Sequence, residues 1–110
     1  MIDTIGSDHS PCKTEDKDIG ESDIWKAWGG ISSVQSMLST LYTEGARKRN
    51  ISWPLIVGML TSAPAKLFGL YPQKGVLQPL SDADLVLMDP NQKWTVVKTR
   101  FIIKTNIRHF

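Results

Sequence analysis

The run from Ser7 to Cys12 concentrates side chains that can do chemistry. Within six positions it offers a carboxylate, an imidazole, two hydroxyls and a thiol. An aspartate in such a run can bind a metal ion and move a proton, or it can form an Asx-turn or cap a helix. The Cys12 thiol has no histidine at a spacing that predicts a nucleophilic pair. The sequence therefore predicts a site in this run, at which any of its five polar side chains could act.

The residues just before this polar run, 2–6, are mostly apolar and β-branched and predict a short buried strand. In α/β proteins the carboxyl ends of parallel strands open onto the active-site face. The polar run would then lie at that end of the strand.

Two stretches after the polar run have alternative interpretations. Residues 13–23 are charged and indicate a mobile surface loop, which is either a solvated linker or a lid over the site. Trp25 and Trp28 precede Gly29 and Gly30. Either the tryptophans pack in a core beside a helix start, or the glycines present backbone N–H groups to a polar ligand.

Three helices are predicted in the middle of the chain. Apolar residues recur at helical spacing and predict a helix over residues 31–47. Ser52 as an N-cap, with a proline in the first turn, predicts a second helix. Ser62 predicts a third helix over residues 63–68, which Gly69 ends.

The pattern changes near residue 72, where short β-like runs separated by turn residues begin. We expect an α/β part over residues 1–72 and an all-β part over 73–110. A lone buried strand leaves its backbone groups unpaired, and a few strands cannot close a sandwich. We therefore expect the chain to be a portion of a larger protein. The β-like runs are 76–78, 83–89, 94–97 and 101–103.

Composition excludes several classes of protein. A formal charge of +2 with scattered basic residues gives no nucleic-acid footprint. The single cysteine cannot form an internal disulfide, which fits a reducing compartment. Residues 55–60, the longest apolar run, are too few to span a bilayer, and the start lacks a signal-peptide pattern. We expect a cytoplasmic protein without nucleic-acid or membrane partners.

The polar run resembles the end of the eighth barrel strand in cyclic amidohydrolases, which include allantoinases, hydantoinases (dihydropyrimidinases) and dihydroorotases. Asp-His-Ser-Pro-Cys followed by Ala-Trp-Gly-Gly-Ile is most similar to the allantoinases. Dihydroorotases usually carry Asp-His-Ala-Pro-His here, and hydantoinases Asp-His-Cys-Pro-Phe. Further stretches resemble the family in the same order, at residues 27–31, 62–70, 74–75 and 82–86.

The resemblance implies a metal-dependent (β/α)8 TIM barrel with a small β-sandwich. Residues 1–72 would be the C-terminal end of the barrel, its last strand and the following helices, and residues 73–110 the incomplete returning strands of the sandwich. The implied reaction is hydrolysis of a cyclic amide, allantoin to allantoate first. Hydantoinase, dihydropyrimidinase or dihydroorotase activity, or a non-catalytic assembly role, are the alternatives.

The resemblance also assigns roles to residues. Asp8 would be the catalytic residue, binding a metal and carrying the proton. Ser10, Cys12, Gly29 and Gly30 would contact a cyclic ureide substrate. Two zinc ions bridged by a carboxylated lysine are implied for the full-length enzyme, together with a homotetramer.

The histidine count limits what this chain can do alone. The family's binuclear centre needs a His-x-His pair and two further histidines, whereas only His9 and His109 are present. We therefore expect the chain by itself to bind no catalytic metal and to be inactive. We expect His9 to be a structural residue whose ring is satisfied by hydrogen bonds.

Overall fold

The computed structural model describes residues 2–93 and residue 95. These residues fall into two compact units, and each is described by itself. The first, the helical unit, comprises residues 2–6 and 38–91. The second, the loop unit, comprises residues 7–37 and the described residues from 92 onward. The boundary expected near residue 72 stays a prediction.

In the loop unit, the charged stretch is folded into short helical turns. Helix α1 spans Thr14–Asp18, and two 3₁₀ turns span Ile19–Glu21 and Ile24–Lys26. The Lys13 N–H donates to the Asp16 carboxylate at 3.1 Å, which satisfies one of the free donors at the start of α1. The expectation of a plain loop did not account for this local capping by acidic side chains.

The two tryptophans of the loop unit are exposed. The exposed fraction is 93% for Trp25 and 51% for Trp28. Trp25 lies in the second 3₁₀ turn, where its backbone N–H donates to the Asp23 carboxylate at 3.2 Å. The interpretation in which both tryptophans pack in a core is therefore wrong for this structure.

The first long helix begins later than its apolar spacing predicts. Helix α2 spans Met37–Thr40 and continues as a π-helix over Leu41–Arg47. The predicted start was Ile31. Ile31 instead forms a parallel β-bridge with His9, so its backbone pairs with the polar run and is not part of a helix.

The next two helices agree with the sequence. Helix α3 spans Trp53–Leu60, with Ser52 at the N-cap and a proline in the first turn. Helix α4 spans Ser62–Leu67, and its N-cap is Thr61, one residue before the predicted cap. Gly69, at φ +69°, follows the end of α4 in the left-handed region that glycine adopts without steric cost.

The core of the helical unit is small. Ile56 is 1% exposed and Ala65 is 6% exposed. Gly45 of the π-helix is also buried, and a Cβ built on it would lie 3.1 Å from Cδ1 of Ile56. Tyr42 and Trp53 meet edge to face, with ring centroids 5.1 Å apart. The π-helix can therefore pack this closely against α3 because residue 45 is a glycine.

The segment after α4 is held against that helix. Gly75 has φ +82°, and a Cβ built on it would lie 2.7 Å from Cβ of Ala65. Beside it, the Lys74 ammonium group pairs with Asp82 at 2.9 Å and also with Asp84. The close approach of the Gly75 backbone to α4 and the exposed ion pairs of Lys74 together fix the path of the chain after α4.

Strands were expected in three stretches that the structure describes, and none forms there. Residues 2–6 form no strand, although the Ile5 N–H donates to the Met59 carbonyl at 3.1 Å. Residues 76–78 and 83–89 also form none. A strand needs a neighbouring strand to receive its ladder of hydrogen bonds, and the described part of the chain offers only an isolated bridge.

Two other β-like runs stay predictions. Of residues 94–97 only Thr95 is described, and residues 101–103 lie outside the described part of the chain. Among the helices of the described residues, none has the length and apolar character needed to cross a membrane.

Candidate functional site

The polar run is paired with the residues that follow the Gly-Gly pair. His9 and Ile31 form the parallel bridge, and the Ser10 N–H donates to the Ile31 carbonyl at 3.0 Å. The pairing joins two segments about twenty residues apart in the sequence, both within the loop unit. The predicted site residues on the two segments are thereby brought together.

Ser33 anchors the polar run on both sides of Asp8. Its backbone N–H donates to Nδ1 of His9 at 3.0 Å, and the Val34 N–H donates to the same nitrogen at 3.2 Å. Its hydroxyl donates to the Ser7 carbonyl at 2.5 Å. The residue before Asp8 and the residue after it are therefore tied to one serine.

Asp8 itself is exposed and has φ +45°. This left-handed backbone is uncommon for a residue with a side chain, although aspartate and asparagine adopt it more readily than most. Within residues 2–93 and 95, no hydrogen bond or ion pair occupies its carboxylate. The run thus presents an exposed carboxylate on a backbone whose neighbours are held in place.

Ser10 and Gly30 approach each other closely. A Cβ built on Gly30 would lie 2.5 Å from the Ser10 carbonyl oxygen, so position 30 has no room for a side chain. The Trp28 indole N–H donates to the Ser10 hydroxyl at 3.3 Å. Lys17 of α1 donates to the Gly30 carbonyl at 2.8 Å and also to the Trp28 carbonyl.

The structure places the five sequence-predicted site residues as follows. Asp8, Ser10 and Gly30 lie in the paired segments, with Gly29 next to them. A Cβ built on Gly29 would meet no atom within 4 Å, so that backbone faces open space. Cys12 is a half-buried free thiol. The roles assigned to these residues stay predictions.

Sequence reasoning missed Lys17 and Ser33. Lys17 lies in a stretch with many charged residues, and nothing in the sequence distinguishes it from them. Its partners, the carbonyls of Trp28 and Gly30, are 11 and 13 residues away. Ser33 lies 24 residues from His9, in a stretch that was assigned to a helix. Contacts between residues so far apart produce no periodic pattern in the sequence, so local patterns could not predict them.

The residues of the candidate site offer few ligands for the implied metal centre. In the part of the chain that the structure describes, no three His, Cys, Asp or Glu side chains converge as a metal site. Asp8 offers one carboxylate, which is too few ligands for a divalent ion. The described residues therefore do not form a metal site by themselves.

An open cleft of about 600 Å³ lies elsewhere, in the helical unit. It is lined by Asp3, Thr4, Ala63, Lys66 and Leu67. None of the predicted site residues lines it.

Comparison with known proteins agrees with the resemblance read from the sequence. Residues 1–108 match the family described as "Amidohydrolase family". The chain belongs to the amidohydrolase family.

Two kinds of curated relative are similar to this chain. An L-hydantoinase of Paenarthrobacter aurescens is 46% identical over 89 residues, which cover 81% of this chain and 19% of the relative. An allantoinase of Escherichia coli strain K12 is 40% identical over 95 residues, which cover 86% of this chain and 20% of the relative. The chain thus spans about a fifth of the length of these relatives.

Solved structures give the same family. The L-hydantoinase (dihydropyrimidinase) of Arthrobacter aurescens superposes with a TM-score of 0.70 at 46% identity, covering 74% of this chain and 18% of that one. A D-hydantoinase of a Thermus species gives 0.67 at 36% identity, with the same coverage. The described residues therefore have a hydantoinase-like fold of the TIM-barrel superfamily.

Proposed function

We propose that this chain supplies the Asp8 part of the active site of a cyclic amide hydrolase, with allantoin as the first substrate candidate. The observation that carries the proposal is the exposed Asp8, whose two neighbours in the chain, Ser7 and His9, are both anchored by Ser33. Its sequence context, Asp-His-Ser-Pro-Cys with Trp-Gly-Gly downstream, favours the allantoinases. The similarity to a curated allantoinase supports this, and the similarity to an L-hydantoinase makes a hydantoin ring the second candidate.

The chemistry proposed for Asp8 is proton transfer. Hydrolysis adds a water oxygen to the ring carbonyl carbon and breaks the bond between that carbon and the ring nitrogen. A carboxylate beside the water can accept the proton that the water loses and deliver it to the departing nitrogen. The products are a new N–H group and a carboxylic acid, which loses its proton to the solvent, so one proton carrier serves both the attack of water and the departure of the nitrogen.

Substrate contacts are proposed for four residues. The Ser10 hydroxyl accepts a hydrogen bond from Trp28 and keeps its own proton for a ring carbonyl. The Gly29 and Gly30 backbone lies beside Ser10, with open space next to Gly29. Cys12 would line the same pocket.

A metal centre is proposed for the complete enzyme and not for this chain alone. Two divalent ions, zinc by resemblance and bridged by a carboxylated lysine, would supply an activated water and polarise the carbonyl. Asp8 would give one ligand, and the others would come from residues that the described part of this chain does not supply.

The architecture proposed for the complete enzyme follows the resemblance. Residues 1–72 would form the end of the barrel, including its last strand at 2–6, and residues 73–110 returning strands of the β-sandwich. The complete protein would form a homotetramer in the cytoplasm. A dihydroorotase-like activity or a non-catalytic assembly role are the remaining alternatives.

A chimera tests the proposal. In the L-hydantoinase of Paenarthrobacter aurescens, the segment that matches this chain is replaced by this chain. We expect the chimera to hydrolyse cyclic ureides and Asp8→Asn to lower its kcat by about 10²–10⁴-fold, the range of general acid–base catalysis. Initial rates on allantoin and on hydantoins measure both the activity and the substrate preference.

Asp3→Asn is the matched control, because Asp3 is an exposed aspartate five residues earlier in the chain. We expect it to leave kcat unchanged. The role of Asp8 would be rejected if both variants kept full activity. The 110-residue chain alone is expected to be inactive, and turnover of allantoin by it with stoichiometric zinc would contradict that expectation.

A further inference from the structure

We infer that His9 is a positioning residue, which with Ser33 fixes the backbone at Asp8 and so the direction of its Cα–Cβ bond. The inference rests on the proposed function, because it assigns to His9 a part in a reaction that Asp8 carries out. It goes further, since nothing in that function requires an imidazole next to the aspartate.

The role of Nδ1 in the His9 ring follows from its partners. Two backbone N–H groups, of Ser33 and Val34, point at Nδ1 of His9 at 3.0 and 3.2 Å. A nitrogen that accepts hydrogen bonds carries no proton, so Nδ1 is an acceptor atom in this arrangement. The ring thus serves as an acceptor for backbone groups and not as an acid.

The effect on Asp8 follows from the chain geometry. The Ser33 hydroxyl holds the Ser7 carbonyl at 2.5 Å, and the Ser33 N–H holds the His9 ring. Asp8 lies between these two anchored points at φ +45°, a left-handed backbone that aspartate adopts more readily than most residues with a side chain. The two anchors hold that backbone, and the backbone sets the direction in which the Asp8 side chain leaves it.

The geometry distinguishes two substitutions of similar chemistry. In His9→Asn, the side-chain oxygen lies as many bonds from the backbone as Nδ1 and can accept the same N–H groups. In His9→Gln, the oxygen lies one bond further out, near the place of Nε2. A ring that only filled space would show no preference for asparagine over glutamine.

The first experiment uses the 110-residue chain as it is. The only other histidine, His109, is replaced in His109→Gln, and histidine nitrogens are labelled with ¹⁵N for NMR. We expect Nδ1 of His9 to be unprotonated and to show a through-hydrogen-bond coupling to the Ser33 amide nitrogen. A protonated Nδ1, or a coupling that is absent in the folded chain, would overturn the inference whatever the activity of the enzyme.

The second experiment uses the chimera and separates kcat from KM. We expect His9→Gln to lower kcat by about 10–100-fold, the range for groups that orient a ligand, with KM little changed. His9→Asn should recover most of that loss. Equal kcat values for the two variants would overturn the positioning role. Full activity of Asp8→Asn would instead reject the proposed function and leave the NMR result standing.

Discussion

The helical unit and the loop unit are held together in different ways. The helical unit buries apolar side chains, with Ile56 1% exposed and Ala65 6% exposed. In the loop unit, no residue that the structure describes is buried, and hydrogen bonds from side chains to the backbone join its segments. One unit therefore depends on apolar burial, whereas the other depends on a few directed polar contacts.

The difference matters for where the candidate site lies. Directed contacts place individual atoms, as Ser33 does for Ser7 and His9, and catalysis needs atoms placed to within fractions of an ångström. Each exposed hydrogen bond contributes little net free energy of folding. The hydrogen bonds of the loop unit therefore fix the positions of atoms more than they stabilise the unit. Substitutions in the two units should then differ in size and in kind.

The largest expected effect is in the helical unit. Ile56→Ala removes the most buried side chain of the described residues and leaves a cavity beside Gly45. We expect a loss of roughly 2–5 kcal/mol in the free energy of unfolding, the usual cost of such a truncation. Urea unfolding followed by circular dichroism measures it.

Leu55→Ala is the control on the same helix, because Leu55 is 57% exposed. It should change the free energy of unfolding by less than about 0.5 kcal/mol. If both variants lost similar amounts of unfolding free energy, burial of apolar side chains would not be what stabilises the helical unit. The contrast with the loop unit would then fail.

An intermediate effect is expected in the loop unit. Gly30→Ala puts a Cβ within 2.5 Å of the Ser10 carbonyl oxygen, so one of the two paired segments must move. We expect a cost of about 1–3 kcal/mol, as for other overpacked positions, and faster hydrogen exchange at the Ser10 amide. Gly29→Ala, which meets no atom within 4 Å, should leave that exchange rate unchanged. If both variants exchanged alike, the pairing of Ser10 with Ile31 would be in error.

The smallest effect concerns pH and the exposed ion pairs of the helical unit. The Lys74 ammonium holds the pKa of Asp82 below its ordinary value of 3.8, and Asp82 followed by Asp84 raises the pKa of Lys74. A lowered aspartate pKa stabilises the folded state above that ordinary value, and the stabilisation is lost as the pH falls through the folded pKa. Asp82→Asn should therefore flatten the fall in stability below about pH 4.

Thermal midpoints between pH 2 and 7 measure this slope, with Asp89→Asn as the control outside the cluster. The effect should be small, because surface ion pairs in water are largely screened. A slope as steep in Asp82→Asn as in the unchanged chain would show that the cluster does not contribute to acid stability.

The sequence predicted the helical unit better than the loop unit. Helix α3 and the stop at Gly69 followed from capping residues, proline and apolar spacing, which are local signals. The start of α2 was wrong by six residues, because Ile31 and Ser33 engage the polar run rather than a helix. Local periodicity cannot report a partner that lies more than twenty residues away.

The candidate site was predicted by residue type and not by arrangement. Residue type showed only that a carboxylate and a hydroxyl in one run can do chemistry, and the family resemblance then assigned roles to Asp8 and Ser10. Gly30 was predicted because a glycine lets a ligand approach the backbone closely. Gly30 approaches Ser10 of the same chain, and its predicted contact with a substrate stays a prediction. The anchoring by Ser33 and the contacts of Lys17 depend on tertiary structure and had no counterpart in the sequence.

The left-handed backbone of Asp8 also limits which amino acids a population of variants could carry at that position. Glycine, asparagine and aspartate adopt φ +45° at low cost, whereas β-branched side chains do not. Of the three, only aspartate brings a carboxylate. Selection for a stable fold would thus accept glycine, asparagine or aspartate at position 8, whereas selection for turnover requires a carboxylate. Aspartate is the one amino acid that meets both requirements.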